Sequence, residues 1–155
     1  MKVTIVGGGS TYSPELVHGL ASRAAALGLD EIVLQDVRED RLRPVGGFCA
    51  RMAHAMGASL SVRTTVDLDD ALDGADIVVV QIRVGGQEGR HEDIRLGLDR
   101  GLIGQETTGV GGLAKALRTI PVVLDIAERV AERCPGAWLL NFTNPSGMVT
   151  EALLR

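Results

Sequence analysis

The chain has 155 residues, enough for a domain with a real core, and its 45% hydrophobic and 23% charged content is ordinary for a globular protein. A net charge of −4 leaves no basic footprint for nucleic acid, and no apolar run reaches the roughly 18 residues that a membrane span needs. "MKVTIVGGG" carries no signal-peptide pattern, and Cys49 and Cys134 fit no metal spacing, so both are expected as free thiols in a reducing cytoplasm.

"KVTIVG" reads as a first strand. Residues 14–27 are expected to be helical, capped by Ser13, with Pro14 in the first turn where a missing N–H costs nothing. "EIVLQDV" (31–37) is a second strand, and residues 39–56 form a helix with Leu42, Val45, Phe48, Cys49 and Met52 on its apolar faces. "SLSVRTTV" alternates like an edge strand, Asp67–Leu72 is a short helix, and "DIVVVQI" (76–82) is a fully buried strand. Residues 91–100 are expected to be helical. "GLIGQETTGVGG" (101–112) holds too much glycine and threonine for a helix and reads as a loop. A helix follows over 113–133, with a break or kink at Pro121. "AWLLNF" (137–142) is a fifth strand, and "SGMVTEALLR" begins another helix. The clusters "VREDRLR" and "DLDDALD" read as solvated helix faces.

This alternation predicts an α/β fold: a Rossmann-type doubly wound parallel sheet with helices on both faces, one domain over residues 1–155. Because the sequence stops within a helical pattern, it is expected to be a piece of a longer protein.

The first strand runs into "GGGSTYSP" (7–14). A glycine-rich strand-to-helix turn lets backbone approach a pyrophosphate, and the helix start offers N–H groups and a positive dipole. Gly7 and Gly9 keep the first two glycine roles, while Ser10 and Thr11 add hydroxyl donors. Tyr12 stands where a third glycine is usual and calls for a wider turn, with a tight structural turn as the plainer reading. Asp36, at the end of the second strand, is placed to accept from an adenosine ribose. Its charge would repel a 2′-phosphate, so NAD is preferred over NADP.

Three further polar stretches follow strand ends, where ligands bind in such sheets. "QIRVGGQEGRHED" offers Arg83 and Arg90, whose planar forks suit phosphate or carboxylate. In "GQETTGVGG", Glu106 sits among small, flexible residues that suit a backbone lining a site. "NFTNPSG" offers the amides of Asn141 and Asn144, with Pro145 stiffening the turn. Each also fits a plainer role: an unpartnered exposed arginine, a surface loop, and strand-end turn chemistry. His18 and His54 lie on helices as surface or boundary residues, and His91 neighbours Arg90; no catalytic triad or metal cluster can be assembled from them.

Taken together, "IVGGGSTYSPEL", "QIRVGGQEGR", "GLIGQETTGVGG", "ALRTIP" and "NFTNPSGMVTEA" resemble family 4 of the glycoside hydrolases, the NAD-dependent group, and most closely its 6-phospho-β-glucosidases. The resemblance implies cleavage of a phosphorylated glycoside by oxidation at carbon 3, proton removal at carbon 2 by a tyrosine, elimination of the aglycone, water addition and re-reduction. Such enzymes stand outside the two-carboxylate scheme of most glycosidases. It further implies NAD and a divalent metal, usually manganese, as cofactors, and a homo-oligomer when full-length. Residue by residue it matches Arg90 to a substrate-phosphate contact, Asn144 to a sugar contact, and Glu106 to an acid that raises the basicity of the tyrosine. Gly7, Gly9, Ser10, Thr11 and Asp36 match NAD contacts, and Arg83 lies on the loop lining the cofactor. The family's metal-binding cysteine and histidine, its acid and its tyrosine base all fall after the segment matched here. Tyr12, the only tyrosine, lies in the nucleotide turn, so the chain is expected to carry the NAD half of an active site, no metal ligands, and no turnover alone.

Two other readings share these features. A lactate/malate-type 2-hydroxyacid dehydrogenase has the same sheet, an arginine-bearing loop after the fourth strand and an Asn-Pro turn after the fifth, but "GQETTGVGG" speaks against it. The other is a cofactor-binding module with no chemistry of its own.

Overall fold

The four apolar runs and the one alternating run of the sequence become five strands in the computed structural model, which describes all of Met1–Arg155. They are β1 (Lys2–Val6), β2 (Glu31–Gln35), β3 (Ser61–Thr65), β4 (Ile77–Val80) and β5 (Trp138–Asn141). Their order in the sheet is β3-β2-β1-β4-β5. β1 runs parallel to both its neighbours, so that Ile5 stands between Leu34 and Val79, and β2 pairs in parallel with β3. The strand order reverses at β1, and the crevice outside the carboxyl ends of β1 and β4 is where this topology places ligands. The predicted Rossmann-type sheet is therefore present, with β3 at an edge as its alternating pattern requires.

The helices are α1 (Ser13–Ala21), α2 (Ala24–Leu27), α3 (Glu39–Ala55), α4 (Leu68–Leu72), α5 (Gly86–Leu98), α6 (Gly109–Arg133) and α7 (Ser146–Leu153). Two compact units result: Met1–Gln81 with Arg129–Leu140, and Ile82–Glu128 with Asn141–Arg155. The first holds the core of Val3, Ile5, Ile32, Leu34, Val17, Leu42, Cys49 and Val79. Each such side chain contributes about 1.5–3 kcal/mol on full burial, set against the entropy of ordering the chain. Cys49 and Cys134 are free and buried.

Several boundaries differ from expectation. Residues 14–27 form two helices, because Ser22 Oγ and Arg23 Nη1 both donate to the Gly19 carbonyl and draw it out of the helical ladder. Ser13 is the first helical residue rather than the cap; it is buried, and its hydroxyl accepts a 2.8 Å bond from Gln81 Nε2. β2 stops at Gln35 rather than residue 37, because the Asp36 carboxylate turns to the glycine turn. α5 starts at Gly86, five residues early, and α6 at Gly109 inside the expected loop. α6 also passes through Pro121 without interruption. The carbonyl that Pro121 cannot engage belongs to Leu117, which is 70% exposed and open to water.

The acidic stretch is more than a solvated face. Asp67 Oδ1 caps α4 by accepting from Asp69 N and Asp70 N, and Asp69 pairs with Arg129 and Arg133 at the end of α6. Surface pairs of this kind are worth about 0–1 kcal/mol each, so they add little to stability.

Candidate functional site

The turn after β1 is built by short-range closure. Gly7 takes φ 90°, a left-handed conformation that other residues resist. The N–H groups of Gly7 and Gly8 both donate to the Gln35 carbonyl, at 2.9 and 2.7 Å. A Cβ on Gly8 would lie 2.7 Å from Leu34 Cβ and 2.9 Å from its Cα, so Gly8 is the glycine that lets this turn rest on β2. Close packing, the role expected of a third glycine further along, is supplied here. Tyr12 projects outward at 46% exposure, and the position it occupies needs no glycine.

Asp36 braces the same turn. One carboxylate oxygen accepts from Gly9 N at 2.9 Å and the other from Arg38 N at 3.0 Å. A Cβ on Gly9 would stand 2.8 Å from that first oxygen, so Gly9 admits the acid. Gln81, which the sequence reading missed, closes the turn from the end of β4: its Nε2 donates to Gly7 O and Ser13 Oγ. The N–H groups of Ser10, Tyr12 and Ser13 are spent on Gly7 O, Ser10 Oγ and Ser10 O. Thr11 N–H has no partner. With the Ser10 and Thr11 hydroxyls it is the donor set left for an anion at the helix start, and a nucleotide pyrophosphate fits that set. A cleft of about 400 Å³ lined by Ala21, Gly28, Leu29, Met56 and Ala58 lies at the entry ends of β2 and β3, away from this turn, and Asp30 is its one ionisable side chain.

The second unit centres on Glu106. Arg83 Nη1 pairs with its Oε1, Lys115 Nζ lies 2.6 Å from that same oxygen, and Arg90 Nε lies 2.8 Å from Oε2. Three cations around one carboxylate leave a net charge of +2. Lys115 is 5% exposed and Glu106 18%, while Arg90 at 44% presents its outer edge to solvent. Glu106 occupies only the Nε edge of Arg90, so the Nη1 and Nη2 donors remain for a planar or tetrahedral anion. Partial burial pushes the Glu106 carboxyl up, but hydrogen bonds from Lys115 and Arg83 outweigh that and hold it down at about 2. Glu106 is therefore a fixed anion at any working pH, suited to holding cations rather than to exchanging protons.

The glycines around Glu106 pack closely and are not there for flexibility, which corrects the sequence reading. A Cβ on Gly111 would meet Gln105 O at 2.1 Å and Asp93 O at 2.7 Å, and one on Gly112 would meet Thr107 C at 2.6 Å. Gly104 would strike Ile94 and Gly97 would strike Ile103 O in the same way. Residues 104–108 are thus pressed between α5 and the first turn of α6, where they deliver Glu106 to Lys115. Lys115 was missed because it lies inside an apolar helical pattern, "GGLAKAL"; a lone lysine among small residues there was the available signal.

Asn141 and Asn144 have different fates. Asn141 Oδ1 accepts from Thr143 N and its Nδ2 donates to Thr150 Oγ1, while Thr143 Oγ1 accepts from Ile82 N at 3.1 Å. Asn141 is thus a turn residue. Asn144 is exposed, ahead of a cis peptide to Pro145. His91 is exposed too, and no group of three or more His, Cys, Asp or Glu is gathered as for a metal ion.

The low Glu106 pKa carries a stability signature. Its folded value lies below the ordinary 4.5, so the stabilisation is complete above that value and is lost as pH falls toward about 2. Relative to Glu106→Gln, the native protein should be more stable by about 1–3 kcal/mol at neutral pH. Unfolding free energies from urea titrations at pH 7, 6 and 3 should show the gap constant between the first two and reduced by on the order of 2 kcal/mol at the third. A gap independent of pH would contradict the assignment.

Residues 2–155 match the pattern described as Family 4 glycosyl hydrolase. The chain is 50% identical over 157 residues to the probable 6-phospho-beta-glucosidase of Bacillus subtilis (strain 168), covering 100% of this chain and 36% of that protein. It is 46% identical to the 6-phospho-beta-glucosidase of Escherichia coli (strain K12), again over 100% of this chain and 35% of the relative. The solved 6-phospho-beta glucosidase of Thermotoga maritima with manganese, NAD+ and glucose-6-phosphate aligns at TM-score 0.91 and 39% identity, over 97% of this chain and 37% of that one. Lactate dehydrogenase from Eimeria maxima (15% identity, TM-score 0.68) and malate dehydrogenase from Archaeoglobus fulgidus (23%, 0.69) share the fold alone. The chain spans about a third of the length of the relatives it matches. With the match running from end to end, this chain belongs to family 4 of the glycosyl hydrolases.

Proposed function

We propose that residues 1–155 are the NAD-binding portion of a 6-phospho-β-glucosidase, with the metal ligands and the tyrosine base in the remainder of a longer enzyme. The observation that carries this reading is the Glu106 cluster: three cations, one carboxylate, and an outward arginine edge with two unused donors. A sugar phosphate brings close to two negative charges at neutral pH, which the excess of +2 matches. The names of the relatives, and the NAD and glucose-6-phosphate in the Thermotoga maritima structure, support the same choice.

In this reading Arg90 holds the substrate phosphate through Nη1 and Nη2, and Asn144 contacts the sugar. Glu106 holds Arg90 and Arg83 in place and adds its negative charge beside the tyrosine. Gly7, Gly9, Ser10 and Thr11 take the pyrophosphate of NAD, Asp36 its ribose, and Arg83 serves as a further cofactor contact. Bound NAD supplies a hydride acceptor that later gives the hydride back. The chain's own residues position sugar and cofactor and neutralise charge. Manganese is given no ligand here, since the residues present gather no set that suits it.

The NAD reading is tested at Asp36 by calorimetry. Asp36→Ala removes both the ribose acceptor and the brace on Gly9, and should weaken NAD by about 1–3 kcal/mol. Asp36→Asn keeps an acceptor for Gly9 N–H, so the turn should hold while the preference for NAD over NADP narrows. Unchanged NAD affinity in Asp36→Ala would remove the role.

The phosphate reading is tested at Arg90 in the full-length enzyme. Arg90→Ala should lower kcat/KM for a 6-phospho-β-glucoside by roughly ten- to a few hundred-fold. Activity on the unphosphorylated glucoside should change much less, and NAD affinity should hold. Equal loss on both substrates would mean that Arg90 only shapes its loop.

A further inference from the structure

One turn of α6 beyond Lys115, Arg118 makes a set of contacts that goes beyond an ion pair. Its Nε donates to the Val84 carbonyl at 3.0 Å. Nη1 and Nη2 donate to Asp93 Oδ1 and Oδ2 at 3.1 and 2.6 Å, a two-pronged fork on a carboxylate that is 3% exposed. The guanidinium plane also lies against two glycines. A Cβ on Gly85 would stand 2.9 Å from Nε, and one on Gly89 would stand 3.2 Å from Nη2. Gly85 caps α5 at φ 83°, and Gly89 and Asp93 follow at spacings of four along the same helix face.

These contacts bracket the two arginines of the Glu106 cluster. Val84 follows Arg83 directly, and Gly89 precedes Arg90 directly. Arg118 therefore fixes, from one rigid planar group, both backbone segments that carry Arg83 and Arg90. A lysine cannot reproduce this, because its ammonium makes no planar fork that spans one carbonyl and two carboxylate oxygens. Asp93 in turn needs Arg118, since a buried carboxylate without its partner is strongly disfavoured.

We propose that Arg118 and Asp93 form a positioning pair that sets the direction of Arg90, and so the preference for a phosphorylated over an unphosphorylated sugar. This rests on the reading of Arg90 as the phosphate contact. Neither residue touches substrate; they act through the start of α5.

The test is a double-mutant cycle in the full-length, NAD-loaded enzyme, using Arg118→Lys, Arg90→Ala and both together. The readouts are kcat and KM on a 6-phospho-β-glucoside and on the same glucoside without phosphate, with NAD affinity and thermal midpoint as controls. Arg118→Lys should lower the phosphate preference by about tenfold or more, chiefly through KM, with NAD affinity unchanged. In the Arg90→Ala background it should cost nothing further. Gly89→Ala, which keeps both charges and displaces only the guanidinium, should show the same coupling to Arg90 and carries the cycle if Arg118→Lys does not fold. Losses that add, or that fall equally on both sugars, would overturn the positioning role while leaving the Arg90 reading intact. An unaltered preference in Arg90→Ala alone would overturn that reading and the positioning role with it.

Discussion

One carboxylate organises the second unit of this protein. Glu106 collects Arg83, Arg90 and Lys115, which come from the segment before α5, from α5 itself and from α6. Without it three cations would sit within a few ångströms of one another with nothing between them, one almost wholly removed from water. Such an arrangement is costly in a low-dielectric setting. With it, the charge of one cation is offset, and Arg90, the most exposed of the three, presents its outer edge to solvent. The same carboxylate thus makes the cluster foldable and leaves it two charges short of neutral.

The glycine pattern follows from that constraint. Bringing Glu106 to Lys115 requires residues 104–108 to lie directly on α5 and on the first turn of α6, and Gly104, Gly111 and Gly112 are the positions where a Cβ would meet backbone or a branched side chain. In the sheet-bearing unit the same device recurs on a smaller scale: Gly8 rests on Leu34, and Gly9 makes room for Asp36. In both places a carboxylate is seated by glycine on a closed turn. The chemistry of each place is set by what the carboxylate leaves over, which is a free Thr11 N–H in one and an arginine edge in the other.

The sheet was legible in the sequence because buried parallel strands read as apolar runs, and "KVTIV", "EIVLQ" and "DIVVV" are such runs. The starts of α5 and α6 were not, because glycine weakens a helix locally and its packing reason lies elsewhere in the chain. The turn at Gly7–Thr11, its acid, Arg90 and Glu106 stood out through residue type and position at strand ends, and the family resemblance named them together. Gly8, Gln81, Lys115 and the Asp93–Arg118 pair did not, since each is defined by a partner that only folding brings near: Leu34, Gly7, Glu106 and, for Arg118, Val84 and two glycines. Lys115 and Arg118 lie in a helix whose pattern reads as amphipathic, where charged residues are expected to face water. Lys115 is instead almost fully buried, held there by its carboxylate partner.

In the proposed function the excess charge of +2 around Glu106 is matched to a phosphate dianion. The most direct measurement is the ³¹P NMR titration of glucose 6-phosphate bound to the full-length, NAD-loaded enzyme. Free phosphate monoesters take their second proton near pH 6. If the sugar phosphate sits beside the cluster, as proposed, the dianion is favoured and the bound phosphate should titrate clearly below that value. A bound phosphate that titrates at or above its free value would mean that the cluster does not hold it.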